Sequence, residues 1–250
     1  YREEYLNDLD TATYYAKRGK LTHLDEVYGY VGCTALTCAC VKGCSEMVEC
    51  LLSAGADMEK ADKDGWTPLI CAARGGHVEV VRLLISAGAD TKKADSDDRT
   101  PLTEATGEGH VEVVRLLLSA GADTEKVNTY GSTPLIEAVT MGHVEVVRLL
   151  LSAEADTEKI STYGWTPLIE AAMYGHVEVV QLLLSAGADT EKADRYGSTP
   201  LIEAARKGHV EVARLLLSAG ADTEKADKDC YTPLIAVSYT HLTLPTKWIV

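Results

Sequence analysis

The chain has 250 residues, of which 46% are hydrophobic, enough to bury a large core and too many for a disordered polymer. Its formal net charge of −14 and pI near 4.9 oppose phosphate backbones and anionic lipid. Nucleic acid and membrane insertion are therefore not expected, no apolar run reaching the roughly 18–20 residues of a span, and a neutral or basic protein partner fits better.

Residues 1–31 read as a shortened N-terminal capping helix pair, in which Gly19-Lys20-Leu21-Thr22-His23-Leu24 imitates a segment found again downstream. From Gly32 the chain repeats itself every 33 residues. Thr-Pro-Leu begins at Thr67, Thr100, Thr133, Thr166, Thr199 and Thr232, and Gly-His-Val-Glu-Val at Gly76, Gly109, Gly142, Gly175 and Gly208. The copies run 32–64, 65–97, 98–130, 131–163, 164–196 and 197–229, with a truncated seventh over 230–236. The first is the most divergent and has Thr34-Ala35-Leu36 in the Thr-Pro-Leu slot.

Each copy is expected to form two short antiparallel helices and a turn. In the copy from Gly65, Thr67 is placed to cap a helix whose first residue is Pro68, where a missing N–H costs nothing. Leu69, Ala72 and Ala73 supply its buried side, and Gly75-Gly76 end it. His77 to Ser86 form the second helix, with Glu79, Arg82 and Ser86 as one polar stripe. Val78, Val80, Val81, Leu83, Leu84 and Ile85 are then expected to be buried, which only stacking of adjacent copies can do. Gly88 suits the left-handed residue that closes this helix, and an extended loop with a turn at its tip leads to the next copy.

The pattern TPLIEAA…GHVEVVRLLLSAGADTEKAD closely resembles the ankyrin repeat, over residues 32 to 236. The resemblance implies an all-α ankyrin-repeat solenoid of stacked helix-turn-helix units with extended, hairpin-like finger loops. One departure is the slot after Thr-Pro-Leu, often His in the family and here Ile70, Thr103, Ile136, Ile169, Ile202 and Ile235.

Two residues stand where other copies have glycine. Glu154 takes a slot where positive φ is expected, at a cost of about 1 kcal/mol, and Asp98 takes the slot of Gly65 and Gly131. Residues 237–250, VSYTHLTLPTKWIV, match no part of a copy and resemble a translated sequencing-library adapter, an artefact tail. With that tail set aside, Val210, Val212, Leu215, Leu216 and Leu217 are expected to lack a neighbouring copy. An otherwise monomeric chain should then fray and associate at this end.

The recurring His77, His110, His143, His176 and His209 invite a metal ladder, but stacked copies stand roughly 10 Å apart, too far to share an ion. Hydrogen bonding to local backbone is expected instead. Cys33, Cys38, Cys40, Cys44 and Cys50 cluster without the paired two-residue spacing of structural zinc sites and fall in packing slots. Ser, His and Asp recur only in structural slots, so no enzyme activity, metal or cofactor is expected.

What differs between copies marks the candidate binding surface, because loop tips and first-helix ends should line one concave side. Those slots hold Trp66, Arg74, Arg99, Tyr130, Met141, Tyr163, Trp165, Met173, Tyr174, Tyr196, Arg206 and Lys207, with aromatics and methionines gathered in the fourth and fifth complete copies. Glu104, Glu137, Glu170 and Glu203 recur beside them and are expected to form an acidic ridge, attracting a basic segment or keeping the surface soluble. The expected function is a noncatalytic protein-interaction scaffold or adaptor, with cytoplasmic location favoured. The alternative is a targeting or regulatory arm of a larger enzyme or channel.

Overall fold

Six helices begin with Thr-Pro, and the capping chemistry of that pair sets their starts. In the computed structural model, which describes residues 25–27 and 32–240 (237–240 as backbone only), Thr67 Oγ1 accepts from the Ile70 N–H at 3.2 Å, with Pro68 as the first helical residue. The same cap is made by Thr100, Thr133, Thr166, Thr199 and Thr232. Thr34 makes it without a following proline. Each such cap stabilises its helix by about 1 kcal/mol.

The chain divides between Thr129 and Tyr130 into two compact units. The first contains α1 (Ala35–Lys42), α2 (Ser45–Ser53), α3 (Pro68–Arg74), α4 (Val78–Ala87), α5 (Pro101–Gly107) and α6 (Val111–Ser119). The second contains α7 (Pro134–Thr140), α8 (Val144–Ser152), α9 (Pro167–Tyr174), α10 (Val177–Ser185), α11 (Pro200–Lys207), α12 (Val210–Ser218) and α13 (Pro233–Thr240). Among the described residues there is no strand, and no helix is long and apolar enough to cross a membrane.

Within each unit, helices stack like on like. In the first, α1 packs on α3 and α3 on α5, while α2 packs on α4 and α4 on α6. In the second, α7, α9, α11 and α13 form one row and α8, α10 and α12 the other. The first helices are the inner layer: Leu69, Ile70, Cys71, Ala72 and Ala73 are all buried, and so are Leu168, Ile169, Ala171 and Ala172. Full burial of one such leucine or isoleucine is worth roughly 1.5–3 kcal/mol.

The second helices bury less than expected. Val80, Val81 and Leu84 are buried, but Val78, Leu83 and Ile85 are only half-buried, because this row has a neighbour on each side and solvent behind it. The last complete copy is also better covered than expected. Val212 and Leu216 are fully buried, and of the five residues considered at risk only Leu217 is exposed, at 42%. Helix α13 runs through Thr240, past the boundary expected at Ala236, and packs against α11. Residues 1–24 and 28–31 of the expected N-terminal capping pair and residues 241–250 lie outside the described residues.

Copies are tied together by polar contacts that recur with the period. His77 Nε2–H donates to the Val41 carbonyl at 3.0 Å, one copy back, and His110, His176 and His209 do the same to Arg74, Thr140 and Met173. A carbonyl can only accept, so the proton sits on Nε2 in each. This corrects the expectation of a local backbone partner: the histidine is a rivet between copies. A second tie is the Lys192 ammonium, which donates to the Glu158 carbonyl at 2.7 Å, while the Glu158 carboxylate accepts from the Asp189 N–H.

The loop tips that open on aspartate are Asx turns. Asp62 Oδ1 accepts from the N–H groups of Asp64 and Trp66, and Asp95, Asp194 and Asp227 repeat the arrangement. These turns need one left-handed residue. Asp98 (φ 59°) supplies it without glycine, as expected, and Cys230 (φ 63°) does so unexpectedly.

Glu154 also lies in the left-handed region, at φ 59°, as its slot implied. Replacing it with glycine, Glu154→Gly, is expected to stabilise the protein by about 1 kcal/mol. Thermal denaturation followed by circular dichroism checks this; an unchanged or lower midpoint would contradict it.

Candidate functional site

Three slots of each copy converge on one neighbourhood: the residue before the Thr cap, the fourth residue of the first helix (Cys38 and Cys71 in the first two copies, glutamate in the next four), and the residues ending that helix. Helical spacing puts the glutamate and the helix-end residue on one face, three positions apart, and the cap folds the preceding loop residue over them. Side chains in these slots therefore meet, and the chemistry of each copy depends on which residues occupy them.

In the first unit the slots neutralise one another. The Arg74 guanidinium lies over the Trp66 ring, 4.9 Å from its centroid, in a cation–π contact. Arg74 also pairs with Glu104 at 3.7 Å and with Glu108 at 3.6 Å. Arg99 donates to Glu104 from the other side at 3.3 Å. Trp66, Arg74 and Arg99 are thus brought together in one cluster around a carboxylate that is only 7% exposed. Burial raises the Glu104 pKa, with Arg74 and Arg99 pulling the other way.

The second unit is less balanced. Tyr163 stacks on Trp165 with centroids 4.9 Å apart, and the Trp165 indole N–H donates to Asp194 at 3.2 Å. Tyr174, at the end of α9, stacks on His176 at 6.0 Å. Tyr130, Met141, Tyr163, Tyr174 and Tyr196 are exposed at 54%, 58%, 61%, 48% and 64%, in a unit whose other large apolar side chains mostly form the core. Trp165 and Met173 are half-buried, and Lys207 is exposed. Arg206 differs from the expectation of an open contact residue, because its guanidinium is held by Glu203 and by Asp227. It borders a cleft of about 490 Å³ with Asp194, Tyr196, Ser198, Asp229 and Tyr231.

The expected acidic ridge is not a surface feature. Glu104, Glu170 and Glu203 are 7%, 5% and 6% exposed, and Glu137 is half-buried. The packed loop covers this part of the first helix, which spacing alone could not show. Glu203 accepts from Ser198 at 2.7 Å and pairs with Arg206. Glu170 has Trp165 and Met173 in the slots that hold Ser198 and Arg206 one copy later. Burial first, and the charge of Glu137 second, push its carboxyl up to about 7. Burial and then the Glu170 charge raise the Tyr174 hydroxyl.

Of the first-copy cysteines, Cys33, Cys38 and Cys40 are buried as their packing slots imply, but Cys44 is half-buried and Cys50, on the solvent side of the second-helix row, is exposed. Burial pushes the Cys40 and Cys71 thiols far up, so both stay protonated.

A profile of three ankyrin repeats matches residues 5–95, 87–161 and 154–227. The chain belongs to the ankyrin repeat family. Among solved structures, it is similar to the ankyrin repeat domain of Bcl-3, described as a unique member of the IkappaB protein family. That match has 31% identity and a TM-score of 0.75, covering 82% of this chain and 94% of that one. It is similar also to the human ASB11 ankyrin repeat domain, with 28% identity and a TM-score of 0.76, covering 82% and 91%. No curated protein matches the chain. Ankyrin repeat domains are generally protein–protein interaction modules, and the helical rows described above are the architecture of that family.

The sequence reading identified these aromatics but missed how Glu170 differs from its equivalents. Four identical glutamates gave no sign of it; the signal lay in their neighbours, Trp165 and Met173 in place of a hydroxyl and a guanidinium.

Proposed function

We propose that this ankyrin repeat protein is a noncatalytic interaction scaffold. It holds a partner protein on the expected concave side, against the loop tips and first-helix ends of residues 130–236. The observation behind this reading is the set of exposed rings and methionine at Tyr130, Met141, Tyr163, Tyr174 and Tyr196. Rigid aromatics that stay in water before binding lose little conformational entropy and bury much apolar area on contact, which makes them strong anchors. The trio Tyr163, Trp165 and Tyr174 forms the centre, two of its members already stacked. In the first unit the equivalent slots are saturated by Arg74 and Arg99, which makes that part the poorer anchor.

The test is Tyr163→Ala, Trp165→Ala and Tyr174→Ala combined, with partner capture compared against the unaltered protein. Binding should weaken at least about ten-fold while helicity and melting change little, since two of the rings are exposed. Undiminished capture would remove this surface from the reading.

A further inference from the structure

Resting on that reading of the surface, we propose that Glu170 is a docking point for a basic side chain, arginine or lysine, carried by an extended segment of the bound protein. The copies themselves supply the argument. Wherever else this glutamate is buried, the chain satisfies it: Glu104 by Arg99 and Arg74, Glu203 by Ser198 and Arg206. Glu170 is the most buried of the three, at 5% exposure, and unlike them it has no cationic partner; its carboxylate keeps contact with water, since among the described residues no fully buried side-chain oxygen lacks a hydrogen-bond partner. A carboxylate that meets water only through so small an opening is costly to ionise, and a cation brought from outside through that opening would offset the cost.

The missing group can be identified from the occupied slots. In the copy with Trp66, the helix-end Arg74 lies over the indole ring while pairing with the buried Glu104 of the next copy, and in the same slot Arg206 pairs with Glu203 of its own copy. The fifth complete copy has the tryptophan, as Trp165, and carries Glu170 in the slot that holds Cys71 in the Trp66 copy, but has Met173 where Arg74 and Arg206 stand. What is absent is a cation that can rest on an aromatic face and meet a carboxylate. The surroundings favour a cation from outside: Tyr163 and Tyr174 expose their rings beside the slot, Glu137 adds negative charge, and the chain carries −14. The raised Glu170 pKa agrees, since it reflects burial without a compensating positive charge.

The test uses random dodecapeptides displayed on phage and selected on the full chain, with the winners synthesised for affinity measurement. Winners should carry arginine or lysine at one fixed position. Replacing an arginine there by citrulline, its neutral isostere, or a lysine by norleucine should weaken binding at least ten-fold. In Glu170→Gln the charged and neutral peptides should bind within about two-fold of each other, the coupling having been removed. Met173→Arg, which supplies the cation internally as Arg206 does, should weaken the charged peptides at least ten-fold and leave the rings in place. Winners with no basic position, or a charge preference that survives Glu170→Gln, would overturn the inference. If those same winners lose affinity in the triple aromatic variant, the proposed binding surface stands without it. If they ignore the triple variant, or if no peptide is selected, both fail.

Discussion

Glu170→Gln is expected to raise the stability of this protein at pH 8 and to change it little at pH 5. Burial, and then the Glu137 charge, push the carboxyl up to about 7 in the folded chain, against the ordinary glutamate value of about 4.5 when unfolded. Folded protein therefore holds the proton more tightly, and the ionised form is the one burial penalises. Stability from this group is fully present below about 4.5 and is lost as pH rises through about 7. Glutamine keeps the size and stays neutral, so it should be worth about 1–3 kcal/mol at pH 8 and under about 1 kcal/mol at pH 5. Thermal melts of the two proteins at both pH values decide the matter. Equal shifts at both, or none at pH 8, would show that Glu170 is not held as an unpaired buried acid.

Gly175→Ala should be among the most damaging small substitutions, for two separable reasons. Gly175 closes α9 at φ 77°, where a side chain costs about 1 kcal/mol. A Cβ there would also lie 2.6 Å from His209 Nδ1, so the imidazole that rivets α12 to the Met173 carbonyl would have to move. Losing that hydrogen bond adds about 1 kcal/mol, and disturbed packing adds more, for a total of about 2–4 kcal/mol. Gly187 is the internal control: its φ is 87°, but nothing lies within 4 Å of an added Cβ. Gly187→Ala should therefore cost only the backbone part, about 1 kcal/mol. Chemical denaturation of both variants measures the difference, and equal losses would mean the imidazole contact contributes nothing.

These two positions mark the line between what could be read along the chain and what could not. Gly175 and Gly187 are both recognisable as helix-closing glycines, since local backbone geometry is written in local residues. That His209 leans on Gly175, 34 residues earlier, follows only from stacking. The expectation of a local histidine partner failed for the same reason: a side chain at the start of a second helix can reach either its own copy or the previous one, and only packing chooses. The exposed tyrosines were legible because surface slots vary visibly between otherwise similar copies. The glutamates were misjudged because helical spacing describes one helix in isolation and ignores the loop that folds over it.

The sequence by itself determined the 33-residue unit, the threonine caps, the left-handed turns at Asp98 and Glu154, and the apolar faces that compel stacking. Each of these depends on interactions within a few residues or on simple periodicity. Tertiary structure alone decided which charges are paired, which identical glutamates are buried, and that one of them lacks a cation. Those outcomes depend on side chains contributed by the loop in front and, for Glu104, by the copy behind, and the electrostatic cost of a buried charge is set by what surrounds it.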